Sequence, residues 1–534
     1  MSRPQLPPGQ SQHGGATTRT APLGYQQELR RGVGGFASFA AGFSFVSILT
    51  TVFQLFGLGF GLGGASFFWT WPLVFAGQLL VALCFAELAA RWPISGAIYQ
   101  WSSRLAGTTA GWFIGWIMII GQILTVAAAA IAAQAVLPGI WSGFQIAGGP
   151  GADPSVGSAT GARNAVLLGC LLLVVTTAVN ILGIRHMAAA TSFGVTVEII
   201  GVIALVLVLF FLPERGPQVV LHHTGSAGQS GYAGAFLASS LMAAYVMVGF
   251  DSAGELAEET HSPRRTVPRT ILRALITSGV GGALLILSGL MAAGSLTDGK
   301  LAAGGLSWVL TDRLGGVVGR LLLCCVAVAV FACTLAVQTS GARMMYSMAR
   351  EGALPFHRHL AKVSARTGTP VTTSIVVGAG AAAVLLVNIH QSAIFTALSS
   401  LCIALLYLAY LGVTVPLLVS RLRRRAAGGL PAGVDETGRP LFSLGRWAVA
   451  VNAVAVLYQA GMTVNLIWPR AEIYDLTGGT WWLRWSALLF IGLSLAVGAG
   501  YFLGRRLHRR IELGHVPHTH TEPPREAAAV AEPA

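Results

Sequence analysis

Twelve apolar stretches, each roughly as long as the ~20 residues that carry a helix across a bilayer, recur along this chain of 534 residues. They lie at about 35–57, 67–90, 110–136, 164–184, 189–212, 233–257, 270–294, 319–349, 371–388, 393–419, 445–468 and 483–504. A chain built this way has very few folding options. Inside lipid each backbone N–H and C=O needs an internal partner, so a chain with long apolar runs must fold as spanning helices. Composition excludes a set of soluble domains of the same length. Only 10% of residues are charged and mean hydropathy is +0.68, against about 25% charged in soluble domains. The expected fold class is therefore an all-α polytopic membrane protein with twelve transmembrane helices.

Lys and Arg indicate the orientation. Arg30, Arg31, Arg91, Arg104, Arg185 and the basic clusters within 264–273, 343–366, 421–446 and 505–510 fall in alternate connections, all on one side. The opposite side holds only scattered cations such as Arg163, Arg215, Lys300 and Arg470. This bias predicts cytoplasmic termini, and it accounts for the net charge of +14 without a nucleic-acid partner. The first apolar stretch starts late and lacks a cleavage pattern, so it is expected to be a retained helix. The expected division is a disordered N-terminal tail (1–28), a core (29–419), a cytoplasmic loop (420–443), helices 11 and 12 (444–505) and a C-terminal tail (506–534). His515, His518 and His520 in "HVPHTH" are expected to be solvated tail residues and not metal ligands. The six cysteines all fall in apolar stretches without a CxxC pair, so buried free thiols are expected. No cofactor or metal site is expected: the chain lacks a Walker-type loop, HExxH and a nucleophile elbow.

Two of the stretches do not read as continuous helices. "FSFVSILTTVFQLFGLGFGLGG" (43–64) and "SSLMAAYVMVGFDSAGE" (239–255) mix glycine, hydroxyls and β-branched residues at mid-span. They are the first and sixth of twelve, so they open two five-helix halves of opposite orientation. Paired interrupted helices in corresponding positions point to an inverted-repeat transporter with its site near the membrane midplane. The second stretch runs on into "ELAEETHSPRRTVPR". There Asp251, Glu255 and Glu258 are four and three residues apart, a spacing that lines one helix face. Acids in a span face a polar pathway, and at the inner end of span six they are expected to act as a gate. The arginines that follow anchor the topology, with Pro263 ending one helix and Pro268 opening the next.

Five stretches, in order, carry a resemblance: the first interrupted segment, "AELAARWPISGAIYQWSSRLAG" after span two, "GWFIGWIMIIGQ" in span three, "GFDSAGELAEETHSPRRTVPRTIL", and "SGARMMYSMAREGALP" after span eight. Over about 35–505 the chain resembles the amino acid–polyamine–organocation superfamily (APC superfamily). It looks most like the branch of amino acid, γ-aminobutyrate and choline permeases. The resemblance implies five plus five inverted helices, discontinuous helices 1 and 6, and two further helices. It implies a plasma-membrane secondary transporter working by alternating access, and no enzyme. A transporter-like nutrient receptor or an amine exchanger would keep the same site. Where relatives carry Gly-Ser-Gly in helix one, this chain has Leu49-Thr50-Thr51. The gating aromatic falls on Tyr245, the following acid on Asp251 and a cavity-facing amide on Gln122. A lysine of some bacterial relatives in span five is replaced by Glu198.

The expected chemistry follows from the ends of half-helices, where N–H groups favour anions and carbonyls favour cations. A zwitterion's carboxylate is expected at the N–H groups of Thr50 and Thr51, and its ammonium at the carbonyls of Ser47, Tyr245 and Val248. Tyr245 would close over it. Each has a plainer alternative: the threonine hydroxyls can bond carbonyls one turn back, Tyr245 can simply pack, and Gln122 can tie helices together. Glu198, an acid in mid-span, is the candidate proton carrier, with a neutral hydrogen-bonded structural role as its alternative.

Overall fold

The computed structural model describes residues 28–511 except 222–230, 298, 388, 390–393, 426–432, 436–437 and 475–480. Both distal tails, with His515, His518 and His520, and much of the 420–443 loop lie outside the described residues. Among the described residues the architecture is helical, with two isolated β-bridges. Span one consists of α1 (Gly35–Val46) and α2 (Ile48–Gly63), and span two of α3 (Thr70–Arg91). The short α4 (Ala97–Ala106) leads into α5 (Thr108–Ile140), α6 (Ala159–Leu182) and α7 (Ile184–Phe211), spans three to five. Span six is α8 (Gly231–Val246) and the one-turn α9 (Ser252–Glu255), and α10 (Pro263–Ala292) is span seven. Next, α11 (Lys300–Arg350) bends at Gly305 and Gly315, and its last part is span eight. After the one-turn α12 (His357–Leu360) come α13 (Val371–Val387) and α14 (Ile394–Arg425). The final spans are α15 (Ala448–Ile467) and, beyond the turns α16 (Ala471–Tyr474) and α17 (Trp481–Arg484), α18 (Ser486–Gly504).

Ten of these spans are long and apolar enough to cross a membrane, and Gly231–Val246 and Val371–Val387 are shorter apolar helices. α5 lies at the centre, packed on α4, α6, α11 and α14. Because lipid tails are as apolar as the helices, close packing needs small residues. Gly194 of α7 illustrates this, since a Cβ there would collide with Ala332 of α11. The periphery shows the opposite surface, with Leu171, Val174, Leu457 and Leu493 exposed. Three cysteines (Cys84, Cys333, Cys402) are buried as expected, but Cys170 and Cys325 are only partly covered and Cys324 is exposed. A surface that faces lipid gives a thiol no reason to be inside.

One helix boundary differs from its expected position. α10 begins at Pro263 and runs through Pro268. Pro263 fits the first turn, where its missing N–H has no helical partner to lose, so a single helix absorbs both prolines. At the end of the molecule rich in arginine, the chain before α1 pairs with the end of span six. Gly32 and Val33 N–H donate to the Glu259 carbonyl (both 3.0 Å), and His261 N–H to the Val33 carbonyl (3.0 Å).

Candidate functional site

The two interrupted spans are broken in different ways. In span one a single residue, Ser47, leaves the helix with φ 34° and ψ 93°. That left-handed conformation is unfavourable for a residue with a Cβ, so the surroundings have to hold it. Its N–H still reaches the Phe43 carbonyl (2.8 Å), and its carbonyl accepts from Thr51 N–H (3.0 Å) and Thr51 Oγ1 (2.6 Å). The Phe45 carbonyl takes the Cys333 thiol at 3.7 Å. What the break orphans is the first turn of α2, and Glu198 of α7 covers it. Glu198 Oε1 accepts from Leu49 N–H (3.1 Å) and from the Ser47 hydroxyl (2.9 Å), which also lies 2.7 Å from Thr50 Oγ1. A carboxylate at a helix N-terminus is favoured by the dipole and the free N–H groups. Glu198 is fully buried, and its Oε2 has no hydrogen-bond partner among the described residues.

In span six the break runs from Met247 to Asp251. Gly249 has φ 89°, and a Cβ there would overlap the Phe45 ring, so glycine is required both by conformation and by close approach. A continuous helix would give Gly249 N–H to the Tyr245 carbonyl. It donates instead to Tyr410 Oη of α14 (2.9 Å), and that hydroxyl also bonds Asp251 Oδ1. The Tyr245 carbonyl is thereby released from its helical donor.

Between the breaks lies a closed cavity of about 10 Å³ for the centre of a water molecule, about the threshold for holding one water. Thr51, Tyr245 and Val248 line it, as do Phe45, Thr125, Cys333 and Cys402, which the sequence did not single out. Ser47 and Thr50 are outside the lining, Ser47 bonded to Glu198 and Thr50 to the Ser47 hydroxyl. Gln122 is outside the lining and donates to Ser340 of α11 at 3.1 Å, tying α5 to α11. The hydroxyl of Thr51 bonds the Ser47 carbonyl one turn back.

The three acids expected on one gating face are separated by the structure. α9 is only one turn long and gives way to a 3-10 turn (Ala257–Glu259), so the four-and-three spacing never becomes one continuous stripe. Asp251 joins Tyr410. The Glu255 carboxylate faces the N–H groups of Gly96, Ala97 and Ile98 at the start of α4, an electrostatically favourable position for a buried acid. Only Glu258 meets an arginine, pairing in two places with Arg350 (2.9 and 3.0 Å) and accepting Ser95 N–H (3.1 Å). Its neighbour Glu259, not among the expected gate residues, forms a fully buried two-point pair with Arg343 of α11 (both 3.1 Å). Glu87 of α3 is likewise shared by Arg91 and Arg421, each at 2.6 Å. These pairs tie α3 to α14 and the end of span six to α11 at the arginine-rich end. The "SGARMMYSMAREGALP" stretch is legible as a motif, but nothing in it names the acids that Arg343 and Arg350 meet.

Comparison with known proteins places this geometry. The family model described as amino acid permease matches residues 33–494. The Arabidopsis thaliana amino-acid permease BAT1 is 27% identical over 520 residues, covering 92% of this chain and 94% of its own. The branched-chain amino acid permease BcaP of Bacillus subtilis is 23% identical over 501 residues, covering 91% and 95%. Among solved structures, MhsT in complex with L-phenylalanine superposes with a TM-score of 0.56 at 15% identity, covering 81% of this chain and 98% of that one. The last likeness concerns fold: two five-helix inverted repeats, with discontinuous first and sixth helices. With a matched model spanning most of its length, this chain belongs to the amino acid permease family of the APC superfamily.

Proposed function

We propose that the chain is a secondary transporter that carries amino acids or related amines across the plasma membrane by alternating access, coupled to protons. The observation that carries this reading is the closed cavity between the two breaks, walled by Tyr245 and backed by Glu198 on the first turn of α2. The permease names of the relatives support the substrate class, and the distribution of arginines supports cytoplasmic termini.

Glu198 gives the coupling a physical form. Its carboxylate holds Leu49 N–H and the Ser47 hydroxyl at the start of α2, next to where a substrate carboxylate would seek the N–H groups of the same turn, and among the described residues the cavity lining contains no lysine or arginine as a second anion partner. A zwitterionic substrate and an ionised Glu198 therefore compete for the end of α2. A proton on Glu198 weakens its hold there and lets the substrate carboxylate in, so proton and substrate enter the cycle together. The substrate ammonium then meets the Tyr245 carbonyl freed by the span-six break, and the carbonyl of Val248, with the Tyr245 ring closing the cavity. Thr51 lines the contact, Ser47 and Thr50 hold Glu198, and Gln122 keeps α5 on α11. On the arginine-rich side, Glu258 with Arg350 forms the inner gate, and Asp251 and Glu255 hold the lower half of span six in place behind it. A second reading, exchange of amines that lack a carboxylate, is favoured by the same lining: such a substrate would leave Glu198 seated.

Counterflow of labelled solutes in proteoliposomes tests the reading. Saturable exchange of amino acids, stimulated by an inward proton gradient and indifferent to sodium, is expected. Saturable exchange of polyamines or quaternary amines such as choline alone would transfer the assignment to the second reading, and binding without flux would make the chain a receptor. Tyr245→Ala is expected to abolish exchange while leaving the purified yield near normal. Normal exchange by that variant removes Tyr245 from the gate.

A further inference from the structure

A second pocket lies far from the central cavity, at the arginine-rich end of the last span. It has a volume of about 250 Å³ and is lined by Gly352, His357, Tyr501, Arg505, Leu507 and Arg510. Its construction follows from a turn. α18 ends at Gly504, and Arg506 takes a left-handed conformation (φ 52°) that sends the chain into a single 3-10 turn, Leu507–Arg509. Leu507 and Ile511 are buried and anchor the turn. Arg509 N–H bonds the Arg506 carbonyl (3.0 Å) and Arg510 N–H the Leu507 carbonyl (2.9 Å). On a continued helix, residues five apart would point to different faces. Folded back, Arg505 and Arg510 border one concavity. The Arg505 guanidinium lies beside the Tyr501 phenol, whose ring stacks on Trp112 of α5 (centroids 6.1 Å apart).

The pocket's chemistry is one-sided. Among the described residues it collects two guanidinium groups, an imidazole and a phenol, and no acid lines it. The nearest acid in sequence, Glu351, is buried and turned toward Tyr99 and Gln100 (2.5 and 2.7 Å). Its level is equally informative. Leu503, just before the end of α18, is exposed on the apolar surface, and the two arginines of the pocket follow it directly in the chain, the order expected at a membrane–water boundary. Guanidinium forks match phosphate oxygens in two-point geometry, and basic pockets between helices at this depth suit anionic head groups.

We propose that this pocket binds the phosphate of an anionic phospholipid from the adjacent leaflet, with Arg505 and Arg510 as the charged clamp and Tyr501 and His357 as flanking hydrogen-bonding groups. Bound there, the head group would fasten α18 to the segment after α11, which carries His357. The site is independent of the transport reading, because it is tested by binding alone. The full-length protein in neutral detergent is titrated with short-chain phosphatidylglycerol, with phosphatidylcholine of equal chain length, and with inorganic phosphate, following the thermal unfolding midpoint. Phosphatidylglycerol is expected to raise the midpoint selectively. R505Q/R510Q should weaken that response roughly 10-fold to 30-fold in concentration, taking a contribution of the usual size for each basic group near a membrane surface. R506Q/R509Q removes the same charge from the same segment without touching the lining, and should respond as the parent does. Equal responses to both lipids, or an unchanged response in R505Q/R510Q, overturns the site. An equal loss in R506Q/R509Q overturns the pocket in favour of general surface charge. A response to inorganic phosphate that matches phosphatidylglycerol and vanishes in R505Q/R510Q overturns the lipid assignment.

Discussion

The breaks in spans one and six occupy equivalent places in the two halves, yet they solve the problem of orphaned backbone groups in opposite ways. Span one departs from the helix at one residue, and side chains from α7 and α11 complete it: Glu198 on Leu49 N–H, Cys333 on the Phe45 carbonyl. Span six opens over five residues and leans on glycine and on one distant hydroxyl, that of Tyr410. A narrow break closed by a carboxylate can respond to a proton. A wide break pinned by a neutral phenol can hinge, because its backbone rests on a glycine and on the one hydroxyl that bonds Gly249 N–H. The difference teaches that the repeat conserves where the helices open and leaves to each half what fills the opening.

The sharpest way to break this comparison is to exchange the demands on the backbone. Gly249→Ala is expected to be the most damaging single change. It adds a left-handed penalty of about 1–2 kcal/mol to a collision with the Phe45 ring. It should show as loss of monodisperse protein on size exclusion. Ser47→Gly, at the other break, should survive purification, because glycine relieves φ 34°. Equal behaviour of the two variants would mean that the breaks are not different in kind.

Tyr410→Phe comes next. It strips the partner from Gly249 N–H and from Asp251, and a buried group left unsatisfied costs about 1–3 kcal/mol. A clear fall in the unfolding midpoint, with slowed exchange, is expected; an unchanged midpoint would show that the phenol does not pin the wide break. Glu198→Gln should be gentler on stability, because its amide oxygen can still accept from Leu49 N–H. The consequence should appear in transport, with gradient-driven accumulation lost and substrate exchange kept. Full accumulation by this variant leaves Glu198 as a structural cap and ends the proton reading.

The smallest effect is expected from Thr51→Val. The hydroxyl already bonds the Ser47 carbonyl, whose other donor, Thr51 N–H, remains, so the change should cost less than about 1 kcal/mol and leave apparent affinity for substrate nearly intact. A large loss of affinity in isotope counterflow would show instead that the hydroxyl turns to the substrate during the cycle.

Much of this molecule is legible in its sequence. Apolar length and the arginine distribution are one-dimensional properties, and lipid makes them decisive: a stretch that cannot expose its backbone must become a helix. The placement of the two interrupted stretches could be read for the same reason, since glycines and hydroxyls at mid-span signal a helix that is not continuous. Pairings were not readable. Glu198 and Leu49 are 149 positions apart, Tyr410 and Asp251 159, and Arg343 and Glu259 84, and no spacing rule reaches so far. The spacing rule misled where it was applied, because Asp251, Glu255 and Glu258 share a face only on a helix longer than α9. Sequence alone determined a twelve-span helical membrane protein opened at its first and sixth spans, because hydropathy and backbone hydrogen bonding act locally. Tertiary structure alone decided which groups fill those openings, because a buried polar atom takes whichever partner the packing of distant helices brings within 3 Å or so.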